Sequence, residues 1–201
     1  MQDNVFKKME AKLNSVVQLP AEEINYLFSK MAVIQIPKGQ HLLKEGASGS
    51  VIYFVNKGVL RTYLTTEEKE INTEFFFEDS FAGAFTSFLL QQPTALNMEV
   101  LEDAELLSLS KQLLDELYTR NPLWLAIGKH IFETEFIKKC KRESSFLKLS
   151  AQERYLSLLH QYPQIEERVA LRHIASYLGI QPESLSRIRA SKISKDLTYI
   201  K

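Results

Sequence analysis

The stretch that decides the fold is Val169–Ala190, VALRHIASYLGIQPESLSRIRA. Leu171, Ile174, Ala175 and Leu178 fall at i, i+3, i+4 and i+7, which places them on one face of a helix. Gly179 ends that helix, because glycine takes the left-handed backbone that a sharp turn needs. Ile180 points back inward, and Pro182, with fixed φ and no N–H, suits the first turn of a second helix. Leu185 and Ile188 give the second helix its buried side, leaving Arg172, Glu183, Ser184, Arg187 and Arg189 for the outer surface. This is the pattern of a helix-turn-helix whose second helix, Pro182–Ala190, enters the major groove of DNA. The same offsets also suit a two-helix corner inside an ordinary α-helical domain.

Upstream, Ser150 and Glu153 form an S-x-x-E capping box for a helix over Ala151–Tyr162, which Pro163 ends. Before it, Asn121-Pro122 starts a helix that runs to about Glu143, roughly 33 Å at 1.5 Å per residue. Trp124, Ile127 and Ile131 give it one apolar stripe, and Phe132, Phe136 and Cys140 an adjacent one. So much apolar surface suggests a dimer seam formed by Trp124, Ile127, Ile131, Phe132 and Phe136; packing against the chain's own N-terminal module is the alternative. Lys111–Tyr118 reads as a further helical piece.

From Met31 to Leu109 the character is different. Short apolar or alternating runs cover Val33–Ile36, His41–Lys44, Val51–Val55, Val59–Leu64, Ile71–Phe77, Asn97–Leu101 and Glu105–Leu109. Turn pairs such as Lys38-Gly39, Glu45-Gly46 and Lys57-Gly58 separate them, as in an antiparallel barrel or jelly roll. Phe75, Phe76, Phe77, Phe81, Phe85 and Phe88 supply an aromatic filling. Val5–Leu13 and Pro20–Lys30 read as short helices that precede the strands. The expected class is therefore α+β. It divides into a sensor module (1–120), a dimerisation helix (121–146) and a helix-turn-helix domain (147–201).

The formal net charge of the 201 residues is zero, which seems adverse to nucleic acid. Its distribution reverses that: residues 1–110 hold nine Lys/Arg against 15 Asp/Glu, and residues 111–201 hold 16 against ten. An acidic half joined to a basic half suits a sensor coupled to a polyanion-binding module. Cys140 is the one cysteine, so no internal disulfide, cysteine-ligated zinc or Fe–S cluster fits. No apolar run approaches the roughly 18 residues of a membrane span, and the polar N-terminus is no secretory signal, so the chain reads as cytoplasmic. No nucleophile–base set, P-loop or dinucleotide glycine motif appears. A barrel-based metal enzyme would want clustered histidines, and His41 stands alone there; the chain is not expected to be an enzyme. A protein-interaction module with a vestigial helix-turn-helix is a further alternative.

The β-rich module, long helix and helix-turn-helix resemble the bacterial Crp/Fnr superfamily of transcription regulators. The likeness is carried by LGIQPESLSRIR, by Asn121-Pro122 and by the span from Phe81-Ala82-Gly83 to Leu109. It implies a cyclic-nucleotide-binding fold near the N-terminus. In members that bind nucleotide, a Gly-Glu pair opens the phosphate segment and an Arg-Ser or Arg-Ala pair closes it. Here Gly83 matches, but Ala84 stands for the Glu, and Thr94 and Ala95 stand for the Arg pair. Lys139 and Cys140 stand for the adenine-reading hydroxyls, and Phe85 follows in the candidate pocket. A phosphate buried without its guanidinium loses about 2–5 kcal/mol, roughly 30- to 5,000-fold in affinity. The module is thus expected to bind no cAMP: it senses an unknown small-molecule effector, smaller and more apolar, or has lost ligand control. Of the family's base-reading Arg, Glu and Arg, the last two match Glu183 and Arg187, and Pro182 replaces the first. Gln181, Ser184, Arg172 and Arg189 are candidate DNA contacts beside them. A palindromic duplex, a homodimer and RNA polymerase are the implied partners. The family's β-hairpin wing would have to come from SKISKDLTYIK, which leaves room for at most one strand.

Overall fold

The computed structural model describes residues 5–198, with side chains up to Ser191. Two short helices, α1 (Lys7–Asn14) and α2 (Ala21–Lys30), come first. Eight strands follow: β1 (Ala32–Ile36), β2 (His41–Leu43), β3 (Val51–Lys57), β4 (Leu60–Thr65), β5 (Glu70–Phe76), β6 (Phe81–Ala82), β7 (Asn97–Val100) and β8 (Ala104–Ser110). Helix α3 (Phe85–Leu90) lies between β6 and β7. The rest is helical: α4 (Lys111–Arg120), α5 (Leu123–Lys148), α6 (Ala151–Gln161), α7 (Ile165–Arg168), α8 (Leu171–Leu178) and α9 (Pro182–Thr198).

The strands form two four-stranded sheets, in the orders β1-β8-β3-β6 and β2-β7-β4-β5. That order is a double-sheet jelly roll, so the expected fold class holds in its open form; the sheets do not close into one barrel. β8 is central to the first sheet, with Ala32↔Ser108 to Ile36↔Ala104 on one side and Val51↔Ser110 to Val55↔Leu106 on the other, both antiparallel. Leu106 and Leu107 are accordingly buried on both faces.

By contacts the chain divides into two compact units. The first comprises the residues up to Thr62 together with Phe75–Lys139. One continuous apolar cluster fills it: Met9 and Leu13 from α1, Ile24 and Leu27 from α2, Phe54 and Leu106 from the strands, Phe88 from α3, and Trp124, Ile127 and Ile131 from α5. The second comprises Tyr63–Glu74, the outer part of the β4–β5 hairpin, with the residues from Cys140 onward. Its buried residues include Tyr155, Leu158, Ile165, Val169, Ile174, Ala175, Leu178 and Leu185.

Helix α5 starts as Asn121-Pro122 requires: the Asn121 carboxamide oxygen accepts from the Leu123 N–H at 3.0 Å. It runs five residues past Glu143, because nothing between there and Ser150 interrupts it. The capping box then begins α6, with the Ser150 hydroxyl accepting from the Glu153 N–H and the Glu153 carboxylate accepting from the Ser150 N–H.

The dimer-seam expectation needs correction. Trp124, Ile127 and Ile131 are packed into the chain's own first unit, where the Trp124 indole N–H donates to buried Glu23 at 2.8 Å. Gly128 belongs to the same contact, since a Cβ there would collide with Tyr118. Phe132 is half-covered by Phe85 and Phe88, with ring centroids 6.1 and 6.3 Å away. Of the five residues only Phe136 stays in the open, at 68% exposure, with Leu125 and Ile137 also exposed.

Candidate nucleic-acid interface and effector module

The helix-turn-helix lies wholly within the second unit. Ile174 and Ala175 of α8 are fully buried and Leu178 nearly so, as the periodicity requires, while Leu171 is half-buried. Gly179 takes φ +68°, and the Ile180 N–H reaches back to the Ala175 carbonyl at 3.0 Å, a Schellman-type closure. A Cβ on Gly179 would also meet the Phe146 ring. In α9, Leu185 has no exposed surface and Ile188 is half-buried. On the other side, Glu183 and Arg187 are both exposed, one helical turn apart. The Arg187 Nη2 lies 3.2 Å from the Ser184 hydroxyl, and Gln181 and Arg172 are exposed as well. This geometry puts a carboxylate and a guanidinium together on the free face of a helix whose opposite face is anchored.

Arg189 goes elsewhere. Its Nε is 2.6 Å from the Glu166 carboxylate of α7, so it stays partly exposed but turns toward α7, away from the flank that carries Glu183 and Arg187. In the tail, where the wing was expected to be reduced or absent, α9 continues to Thr198, so SKISKDLT is helical and supplies no strand within the described residues. Residues 199–201 of the expected wing lie outside them.

Two arginines absent from the sequence reading hold the C-terminal end of α8. Arg154 donates to the carbonyls of Leu149 (2.7 Å) and Leu178 (3.0 Å). Arg142 donates to the carbonyls of Tyr177 (3.1 Å) and Asn72 (3.3 Å). Cations at this end complement the helix dipole. The Arg142 guanidinium also stacks on Phe146 and Tyr177, each 4.7 Å from the ring centroid, and Arg154 stacks on Phe146 at 4.6 Å. Burial, and then the Glu74 carboxylate, push the Tyr177 phenol well above its ordinary pKa, with Arg142 opposing. Beside it, the Ser176 hydroxyl accepts from the Asn72 N–H at 2.9 Å and donates to the Glu70 carbonyl at 2.8 Å. β5 is the last strand of its sheet, so Ser176 satisfies edge groups that no further strand covers. The Ser176 contacts and the Arg142–Asn72 bond have no local sequence signature, because their partners are 70 or more residues distant.

In the first unit, the residues at the expected effector positions do structural work. Gly83 abuts β3 so closely that a Cβ would meet Ile52. Ala84 and Phe85 are buried, and α3 begins there. Thr94 is buried, its N–H donating to Ala47, its carbonyl accepting from Gly46 and its hydroxyl accepting from the Leu96 N–H at 2.9 Å. Ala95 and Lys139 are exposed, as is Cys140 of the second unit. The buried guanidinium of Arg61 on β4 is engaged by Glu99 on β7, at 2.5 and 2.7 Å. Among the described residues no group of three or more His, Cys, Asp or Glu is placed to hold a metal ion, and no helix is long and apolar enough to cross a membrane.

This architecture defines a class, that of a jelly roll followed by a long helix and a helix-turn-helix. Residues 33–121 match the family model of the cyclic nucleotide-binding domain. The chain shares its fold with a c-di-GMP-responsive global regulator, CLP, of Xanthomonas campestris (TM-score 0.68, 18% identity, covering 88% of this chain and 93% of that one). A transcriptional regulator of the crp/fnr family from Eubacterium rectale is similar as well (TM-score 0.67, 17% identity, 88% and 85% covered). So is FixK2 of Bradyrhizobium japonicum (TM-score 0.70, 15% identity, 83% and 86% covered). No curated relative matches in sequence. The chain therefore shares the fold of these regulators, and its residues 33–121 match the cyclic nucleotide-binding domain.

Proposed function

We propose that the chain is a cytoplasmic, homodimeric transcription regulator that binds a palindromic DNA duplex and is not controlled by cAMP. The observation that carries this is the paired orientation on α9: Leu185 fully buried, Glu183 and Arg187 exposed one turn apart. A carboxylate there accepts from a cytosine amine, and a guanidinium forks onto a guanine. Gln181, Ser184 and Arg172 flank the pair as phosphate contacts. Residues 1–120 form the sensor, 121–146 the dimerisation helix and 147–201 the DNA-binding domain. With the tryptophan face of α5 already covered, the exposed Leu125 and Phe136 become the contact with a second copy. In such a dimer the two α9 helices read successive major grooves about 34 Å apart.

Ala84, Thr94 and Ala95 supply neither the ribose carboxylate nor the phosphate guanidinium of a nucleotide site, and Arg61 is paired to Glu99. The module therefore answers to a different small molecule or works without ligand control. RNA polymerase is the expected protein partner on DNA.

Selection of bound sites from random duplexes tests the reading. The expected outcome is a palindromic consensus bound with a steep loss of affinity as salt rises. Arg187→Ala should cost about 1–3 kcal/mol on that site and relax its specificity at one position of each half-site. An unchanged footprint removes Arg187 from the interface. Calorimetry with cAMP and cGMP should show no micromolar binding.

A further inference from the structure

Arg187 and Arg189 stand two positions apart on α9, about 200° round an α-helix, so they point to nearly opposite flanks. Arg187 leaves on the exposed side. Arg189 is 37% exposed and meets Glu166 at 2.6 Å, and Glu166 is itself 27% exposed. The same carboxylate oxygen, Oε1, accepts the phenol hydroxyl of Tyr155 at 2.7 Å. Tyr155 is a large side chain buried in α6 at 1% exposure. One carboxylate therefore joins three helices: α6 through Tyr155, α7 through its own backbone, and α9 through Arg189.

The apolar anchor of α9 is not directional. Leu185 and Ile188 hold the helix down, but a packed leucine tolerates small rotations about the helix axis. A charge-assisted N–H···O bond is directional in a way that apolar contact is not. A rotation of about 20° at a side-chain radius of about 6 Å moves a tip by roughly 2 Å. That is enough to break a two-pronged contact with a base edge.

We propose that Glu166 is a positioning residue for DNA reading: braced by Tyr155, it holds Arg189 and thereby fixes the rotation of α9, and so the direction in which Glu183 and Arg187 leave the helix. Arg189 is then an anchor of the recognition helix and not one of its phosphate contacts. This rests on the DNA-binding reading above. An ion pair this exposed adds little to global stability. Its effect lies in discrimination between sites.

The test uses the full chain, with Glu166→Gln, Tyr155→Phe and the exchanged pair Glu166→Arg with Arg189→Glu. Affinity is measured for the selected duplex and for a scrambled duplex of equal length. Amide hydrogen exchange across residues 182–188 is measured without DNA. Glu166→Gln should lower the specific-to-scrambled ratio about tenfold, the scale of one misplaced base contact. Affinity for the scrambled duplex should stay nearly constant, and exchange over 182–188 should quicken. Tyr155→Phe should do the same more weakly, and the exchanged pair should recover part of the ratio. An unchanged ratio with unchanged exchange overturns the proposal. A parallel rise of both affinities in Glu166→Gln also overturns it, because Arg189 would then be a phosphate contact that Glu166 had been neutralising. If the native chain selects no site at all, the DNA reading fails, and the exchange rates alone still decide whether Glu166 constrains α9.

Discussion

The two compact units are held together by different physics. In the first, a single apolar cluster runs from α1 through both sheets to Ile131, and polar ties such as buried Glu23 with Trp124 and Arg120 are embedded in it. In the second, a small set of buried aliphatic and aromatic side chains is supplemented by guanidinium groups stacked on rings and bonded to carbonyls, and by one serine that satisfies a strand edge. Apolar burial accumulates with area and tolerates small shifts. Directional polar contacts contribute less each and depend on geometry. The contrast predicts a first unit that unfolds as a block, and a second unit that opens locally at lower free energy.

The sharpest way to break this contrast is Trp124→Ala. It removes a fully buried indole and leaves the Glu23 carboxylate with one donor fewer, so it should cost about 3–5 kcal/mol. Urea denaturation followed by circular dichroism measures it; a loss under 1 kcal/mol would mean that α5 is not part of the first unit's core. A smaller effect is expected from Arg142→Met, which keeps apolar bulk but loses two carbonyl bonds and two ring contacts. About 1–3 kcal/mol should be lost, confined to the second unit. Hydrogen exchange should quicken in α8 while β3 and β8 keep their protection. Equal acceleration in both would dissolve the distinction drawn here. Smallest is Ser176→Ala, about 1 kcal/mol, read most directly as faster exchange of the Asn72 amide. An unchanged Asn72 rate would show that the strand edge has another cover.

Much of the architecture was legible beforehand because it is locally encoded. The seven expected strands each appear within a residue or two of their reading, since alternation and Gly-containing turns are short-range signals. The Asn121 and Ser150 caps and the Gly179 turn were equally plain. β6, with two residues, and α3, with six, are too short to show a period. The opposite directions of Arg187 and Arg189 follow from the 100° step alone, whereas charge by itself assigns both to the surface. The helical course of SKISKDLT was likewise open to view, as it contains neither Gly nor Pro.

The sequence by itself determined the starts of α5 and α6, the turn after α8, and which side of α8 and α9 is apolar, because those follow from periodicity and capping over a few residues. Only the tertiary structure decided which apolar stripe of α5 the chain would cover with its own side chains, and which arginines would meet Glu166, Tyr177 or solvent. Those outcomes depend on surfaces contributed by residues as distant as Glu23 from Trp124 and Asn72 from Ser176. A pattern of period 3.6 states that a face is apolar; it carries no information about the partner that removes it from water.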